Sequence, residues 1–238
     1  MFRQFATLFV VAMMAGQAQG AVVSFSGDGA IFGSADGLDL RQGSREGLFV
    51  TAYDEATDVT VGTGQVFADY VVDINLSVGA TVTGVDTLGE NDAIGLAAGT
   101  YDSHLLQLDP AGTGRGVNAT FTFSGEIIAL ILSNTGSGTL LNDSDSVFGV
   151  GTNYESGVGR RVESNETLTL LSPYMLQING WGTNSKWTDE VRVITAVEVA
   201  AVPLPAALPM LLAGLGGLAL MRRRIDESDK ISATSRLT

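Results

Sequence analysis

Short apolar and β-branched runs, interrupted every 8 to 20 residues by Gly, Asn, Ser and Asp, constrain this chain more than any other feature. Asn118–Ser124 (NATFTFS) alternates, with Ala119, Phe121 and Phe123 on one side and Asn118, Thr120 and Thr122 on the other. A period of two belongs to a half-buried strand. Glu126–Leu132 (EIIALIL) is apolar throughout after its first residue, the pattern of a central strand. Val22–Phe25, Gly47–Tyr53, Gln65–Leu76, Thr167–Leu171, Tyr174–Asn179 and Glu190–Thr195 extend the series. Turn-forming residues separate them, as in Asn134–Gly138 and Asn142–Ser146. Roughly ten strands and no amphipathic helix predict an all-β fold, an antiparallel β-sandwich of jelly-roll-like kind. The 30 glycines and 5 prolines suit a fold rich in turns. No repeat of fixed period points to a propeller or solenoid.

The two ends read differently from this body. Arg3, the apolar Phe5–Ala15 and the small residues of Ala18-Gln19-Gly20 have the order of a secretory signal peptide over residues 1–20. Cleavage is expected between Gly20 and Ala21, with an uncleaved N-terminal anchor as the alternative. Near the other end, Val202–Arg224 (VPLPAALPMLLAGLGGLALMRRR) joins a Pro-punctuated motif, an apolar segment and three arginines. Ala206–Met221 carries no charge. As a helix it spans roughly 25 Å, slightly short of the ~30 Å hydrocarbon core. A buried core helix is the competing reading, but three adjacent arginines cannot follow such a helix inward. Arg222, Arg223 and Arg224 are retained on the cytoplasmic side of a membrane segment, which leaves the chain before Val202 outside.

In order and spacing, VPLPA with its apolar segment and arginine cluster resembles the VPLPA-type C-terminal sorting signal, a variant of the PEP-CTERM family of exported bacterial proteins. The resemblance covers Val202–Arg224 alone. It implies recognition and processing at Val202, Pro203, Leu204, Pro205 and Ala206 by an exosortase-type membrane protease. It also implies a Gram-negative host and a cell-surface or extracellular-matrix destination, often linked to exopolysaccharide. Such signals usually end just after the arginines, whereas here Ile225–Thr238 continues. That polar stretch is predicted to be a disordered cytoplasmic tail. A second similarity, of DSVFGVGTNY and the later DEVRVIT to modules of exported bacterial proteins, supplies no active residues. The expected layout is a signal peptide over 1–20, an exported β-sandwich over 21–201, a sorting signal over 202–224 with its transmembrane helix at about 206–221, and a tail over 225–238.

Charge is best counted by compartment. The whole chain of 238 residues carries −13, but residues 21–201 hold 23 acidic and 7 basic residues, a net −16. A field of that sign disfavours nucleic acid and anionic lipid as partners. The chain has no cysteine, which removes disulfides, thiol nucleophiles and cysteine metal sites.

Catalytic motifs are sparse. The one histidine, His104, lies in TYDSHLLQLD. Ser103 points to the opposite face of any strand there, so it cannot serve His104 as a nucleophile, and a packed or surface histidine is the default. No nucleophile elbow, phosphate-binding loop, H-E-x-x-H or dinucleotide fingerprint occurs. Calcium is the best metal candidate, through oxygen-rich clusters at Asp28/Asp36/Asp39, Asp54/Glu55/Asp58 and above all Asn142, Asp143 and Asp145. None completes an EF-hand, and Asx turns explain the same residues. For sugar binding, Trp181 and Trp187 with Tyr174 nearby offer rings that stack on sugar faces. Asn179, Asn184 and Asp189 offer hydrogen bonds, against the competing reading of core packing.

Three functional readings follow. The first is a non-catalytic exported surface or matrix protein, a membrane-tethered precursor with a periplasmic body that is processed at the VPLPA motif. Its partners are the Sec translocon, the exosortase-type protease and the membrane, and no nucleic acid or obligatory cofactor is expected. The second is an exopolysaccharide-binding module with or without calcium. The third is a glycan-active hydrolase using two of the many carboxylates.

Overall fold

A computed structural model describes residues 21–41, 43–44, 46–83, 93–110, 116–132, 140–149, 151–154, 160, 162–163, 165–182 and 188–197. All of them fall within one compact unit, residues 18–198. The signal peptide, the sorting signal with its arginines and the Ile225–Thr238 tail lie outside the described residues, as does Trp187.

Thirteen strands and one helix are described. The first seven strands are β1 (Val22–Gly27), β2 (Gly29–Ser34), β3 (Val50–Val61), β4 (Phe67–Ala68), β5 (Tyr70–Val71), β6 (Thr81–Thr83) and β7 (Ile94–Gly95). The rest are β8 (Gly99–Leu108), β9 (Gly116–Phe123), β10 (Ile127–Ile131), α1 (Leu140–Phe148), β11 (Thr167–Ser172), β12 (Met175–Gly182) and β13 (Asp189–Ala196). One sheet has the order β1-β9-β12-β11-β6 and the other β2-β3-β8-β13-β10-β5, with β4 and β7 as a small separate pair. Every pairing is antiparallel except β2 with β3, which is parallel, so the second sheet is mixed rather than wholly antiparallel as expected. Among the described residues no helix is long and apolar enough to cross a membrane.

The alternation in β9 appears as expected. Val117, Ala119, Phe121 and Phe123 are buried, while Asn118, Thr120 and Thr122 are not. They meet Leu176, Ile178 and Trp181 of β12, Leu168 and Leu170 of β11, and Leu106, Leu108, Val191 and Val193 of the facing sheet in one core cluster. Burial of this apolar area, at about 25 cal/mol per Å², holds the two sheets together. The facing sheet buries its other side too. Ala129, Ile131 and Ile194 pack with Leu141 and Phe148 of α1 in a second cluster.

Two glycines set the corners. The chain crosses from one sheet to the other between β1 and β2 at Gly27, whose φ is +79° and whose added Cβ would stand 2.5 Å from the Asn118 carbonyl oxygen. Gly125, between β9 and β10, lies so close to β13 that a Cβ would stand 2.1 Å from the Ala196 carbonyl oxygen. Gly125→Ala is therefore expected to cost about 1–3 kcal/mol, read as a lower urea midpoint. An unchanged midpoint would show that this corner has room to relax.

Helix α1 is the departure from the expected pattern. Its segment, LLNDSDSVF, contains the residues predicted to form a turn. Asn, Asp and Ser favour turns over helix interiors because their side chains compete for the backbone. Leu141, Ser144 and Phe148 nevertheless share one buried face. The contacts that fix this face come from β13.

Candidate functional site

The register of β8 and β13 sorts their polar side chains. Gln107 pairs with Glu190, Leu105 with Arg192 and Ser103 with Ile194, and these share the face turned toward α1. Arg192 is fully buried there. Its Nε and Nη2 donate to the two carboxylate oxygens of Glu55 at 2.7 and 2.8 Å, a bidentate pair. Its Nη2 also donates to Asp145 Oδ1 at 2.7 Å, and Nη1 donates to the Leu141 carbonyl at 3.0 Å and to Ser144 Oγ. Arg160, buried as well, donates to Glu190 Oε2 and Asp145 Oδ2, both at 2.5 Å, and to Asn142 Oδ1 at 3.1 Å. The Tyr154 ring lies 4.4 Å from the Arg160 guanidinium, and its hydroxyl donates to Glu55 at 2.5 Å.

Burial alone pushes the Glu55 carboxyl up, but the Arg192 charge and the hydrogen bonds from Arg192, Tyr154 and Ser103 overcome it and hold the carboxyl at about 2. Burial and the Glu55 charge push the Tyr154 hydroxyl well up, so it stays a neutral donor. Burial lifts Glu190 despite Arg160 beside it. The network is thus a set of buried ions, each with a partner, that ties α1 onto the sheet.

Asn142, Asp143 and Asp145 were expected as loop ligands for calcium. They lie on α1, and Asn142 and Asp145 accept hydrogen bonds from guanidinium groups that already supply positive charge. Asp39 pairs with Arg41 at 2.6 Å. Asp54 and Glu55 point to opposite faces of β3, to His104 and to Arg192. Among the described residues no three His, Cys, Asp or Glu side chains are arranged to hold a metal ion.

His104 stands on the inner face, fully buried against the Phe123 ring at 5.1 Å. Its Nδ1 donates to Asp54 Oδ1 at 2.8 Å and its Nε2 lies 3.0 Å from Thr195 Oγ1. A hydroxyl, an imidazole and a carboxylate therefore stand in line, as in nucleophilic relays. Thr195 has no exposed surface, so no substrate carbonyl reaches it, and the line satisfies polar groups inside the sandwich. Ser103 faces the other way, donating to Glu55 at 2.7 Å, as the strand alternation required.

A buried acid pair is the most perturbed feature. Asp189 opens β13 on the inner face, opposite Leu108, and is fully buried. Glu166 is buried too, and its carboxylate accepts the Glu163 and Gly182 backbone N–H groups at 2.7 and 2.8 Å. Burial, then the neighbouring Glu166 charge, pushes the Asp189 carboxyl up to about 10. Burial raises Glu166 as well. Both Asp189 oxygens and Trp181 Nε1 lack hydrogen-bond partners among the described residues. No protein-family model matches the chain, and no curated protein or solved structure is significantly similar to it. The acid pair therefore stands on its geometry. Neither carboxyl is exposed, so the pair lacks the open groove between two carboxylates that glycoside hydrolysis requires.

The aromatic platform expected for sugar does not assemble among the described residues. Trp181 is fully buried in the core cluster. Tyr174, 46% exposed, sits in the turn between β11 and β12, at the opposite end of β12 from Trp181. A β-bulge between Ile178 and Trp181, with Gly180 at φ +76°, shifts the register of β12 so that Trp181 pairs with Val117 and its indole turns inward beside Leu176 and Ile178. The acid pair was not singled out from sequence. Asp189 was read as a sugar hydrogen-bonder, and the one clue to its burial is its place at the start of EVRVIT, a strand buried on both faces.

Proposed function

We propose that this chain is an exported surface or matrix protein, a jelly-roll-like β-sandwich threaded outward by its signal peptide, tethered by the apolar segment at 206–221 and processed at Val202–Ala206 by an exosortase-type protease. One observation supports the reading most. Both ends of the described body are tied into its sheets. Ala21 N donates to Ser124 Oγ at 2.8 Å, Ser124 N donates to the Ala21 carbonyl at 2.9 Å, and Ala196 N donates to the Glu126 carbonyl at 2.8 Å. Cleavage after Gly20 and a tether that begins before Ala206 would leave these bonds in place. The charged clusters are bonded internally as ties, which suits a body that needs no active site. Exopolysaccharide binding now has Tyr174 as its only exposed ring of the two described candidates, and ranks second.

Fractionation of a Gram-negative host that carries an exosortase-type protease tests this reading. The precursor is expected in the membrane fraction and a form shortened at both ends at the surface or outside the cell. Pro203→Ala with Pro205→Ala is expected to hold the precursor in the membrane. Full-length chain soluble in the cytoplasm would overturn the proposal.

A further inference from the structure

The strand register brings both ends of the body to one pole of the sandwich. Val22 pairs with Phe123 at the end of β9, Met175 with Thr122, and Ile127 at the start of β10 with Thr195. Ala21, Ser124, Glu126 and Ala196 are hydrogen-bonded there. The β11–β12 turn lies at this pole, because the Tyr174 carbonyl accepts from Phe123 N. So does the turn after β5, because Val72 N donates to the Ile128 carbonyl and Gly79 N to the Leu170 carbonyl.

Five large apolar side chains stand out from this pole. They are Val23, Ile74, Val78, Leu171 and Tyr174, each between 41% and 67% exposed. No Lys or Arg occurs in residues 70–80, 121–127 or 171–176, so nothing here attracts an anionic surface. Apolar side chains on turns (Ile74, Val78, Tyr174) and at strand ends (Val23, Leu171), with a tyrosine whose hydroxyl prefers the polar side of an interface, fit the boundary between head groups and acyl chains.

The length of chain beyond the body names the occupant. From Ala196 to Ala206, where the apolar segment begins, is ten residues. Fully extended they reach at most about 35 Å, and Pro203 and Pro205 lie among them. We infer that this pole, through Val23, Ile74, Val78, Leu171 and Tyr174, docks on the surface of the bilayer that holds the tether. The inference rests on the membrane-tethered reading above. Contact is apolar rather than charge-steered, so it suits zwitterionic lipid and changes little with salt. Leu48, 40% exposed, precedes β3 at the opposite pole, where Thr51 pairs with Gln107, and stays in water.

The absence of cysteine makes the test direct. Ile74→Cys, Leu171→Cys, Leu48→Cys and Leu215→Cys are each made in the full chain and labelled with a polarity-sensitive fluorophore. Each is reconstituted as a single chain per phosphatidylcholine nanodisc, with and without brominated acyl chains. Strong quenching by bromine is expected at Leu215, Ile74 and Leu171, and none at Leu48. Quenching at Leu215 alone would leave the tether standing and overturn the docking pole. No quenching at Leu215 would overturn the tethered reading and the inference with it. Shielding of Ile74 and Leu171 only when several chains share a disc would assign the pole to a second copy and overturn the lipid contact.

Discussion

Arg192→Met lowers folding stability by about 3–5 kcal/mol, the largest effect expected of any single substitution here. The guanidinium is fully buried, and its loss leaves Glu55 buried and ionised with only Tyr154 and Ser103 as donors. Asp145, Ser144 and the Leu141 carbonyl lose a donor at the same time, so α1 loosens from the sheet. The double variant Arg192→Met with Glu55→Gln is expected to recover a large part of the loss, because no charge is then stranded. Urea unfolding of the wild type, both single variants and the double variant measures the coupling. A loss below about 1 kcal/mol for Arg192→Met, the range of exposed pairs, would mean that water reaches this network. The sign with pH is fixed by Glu55. Its carboxyl is held at about 2 in the fold against an ordinary 4.5, so its contribution is full above 4.5 and is lost as pH falls through 2.

Asp189→Asn acts in the opposite direction and at the other side of the pH scale. The folded protein keeps a proton on Asp189 up to about pH 10, whereas the unfolded chain releases it near 3.8. The wild type therefore loses stability steadily as pH rises between those values. Asparagine removes the titration and places an amide donor beside Glu166. A gain of about 1–3 kcal/mol is expected at pH 8, with no gain near pH 3.5. Thermal unfolding at the two pH values separates this outcome from a plain packing change, which would be equal at both. Equal stability of the variant and the wild type at pH 8 would show that Asp189 is solvated or ionised in the fold.

Much of the core was legible because alternation is a local signal. The NATFTFS pattern names the buried face of β9 residue by residue, and EIIALIL marks β10, which is flanked by β13 and β5. The polar strands were harder to read. Gly99–Leu108 contains Asp102, Ser103, His104 and Gln107, all buried, so its hydropathy resembles a loop although it lies inside a sheet. Its partners are 44 to 91 residues away in sequence, and no window of residues contains them. Helix α1 was missed for the same reason. LLNDSDSVF has poor helix propensity, and two arginines from later in the chain hold its Asn142, Ser144 and Asp145. Among the site residues, Trp181 illustrates the limit of composition. An indole near polar residues suggests a ligand platform, and plain alternation from Ile178 would turn it outward, but the bulge at Gly180 turns it into the core.

The position of β13 has a consequence for the order of assembly. It is the last of the described strands, yet it lies between β8 and β10, near the middle of its sheet. A polypeptide emerging from its N-terminus first cannot join β10 and β5 to β8 until Ala196 has appeared. Strand β1 waits as well, since it pairs with β9, nearly a hundred residues later. Such non-local pairing slows folding, because long loops must close before any contact rewards them. On the proposal that the chain is threaded through a narrow translocation channel, that delay is useful. The chain would then stay extensible until almost all of the body has passed, and β13 would lock both halves of the sheet in one late step.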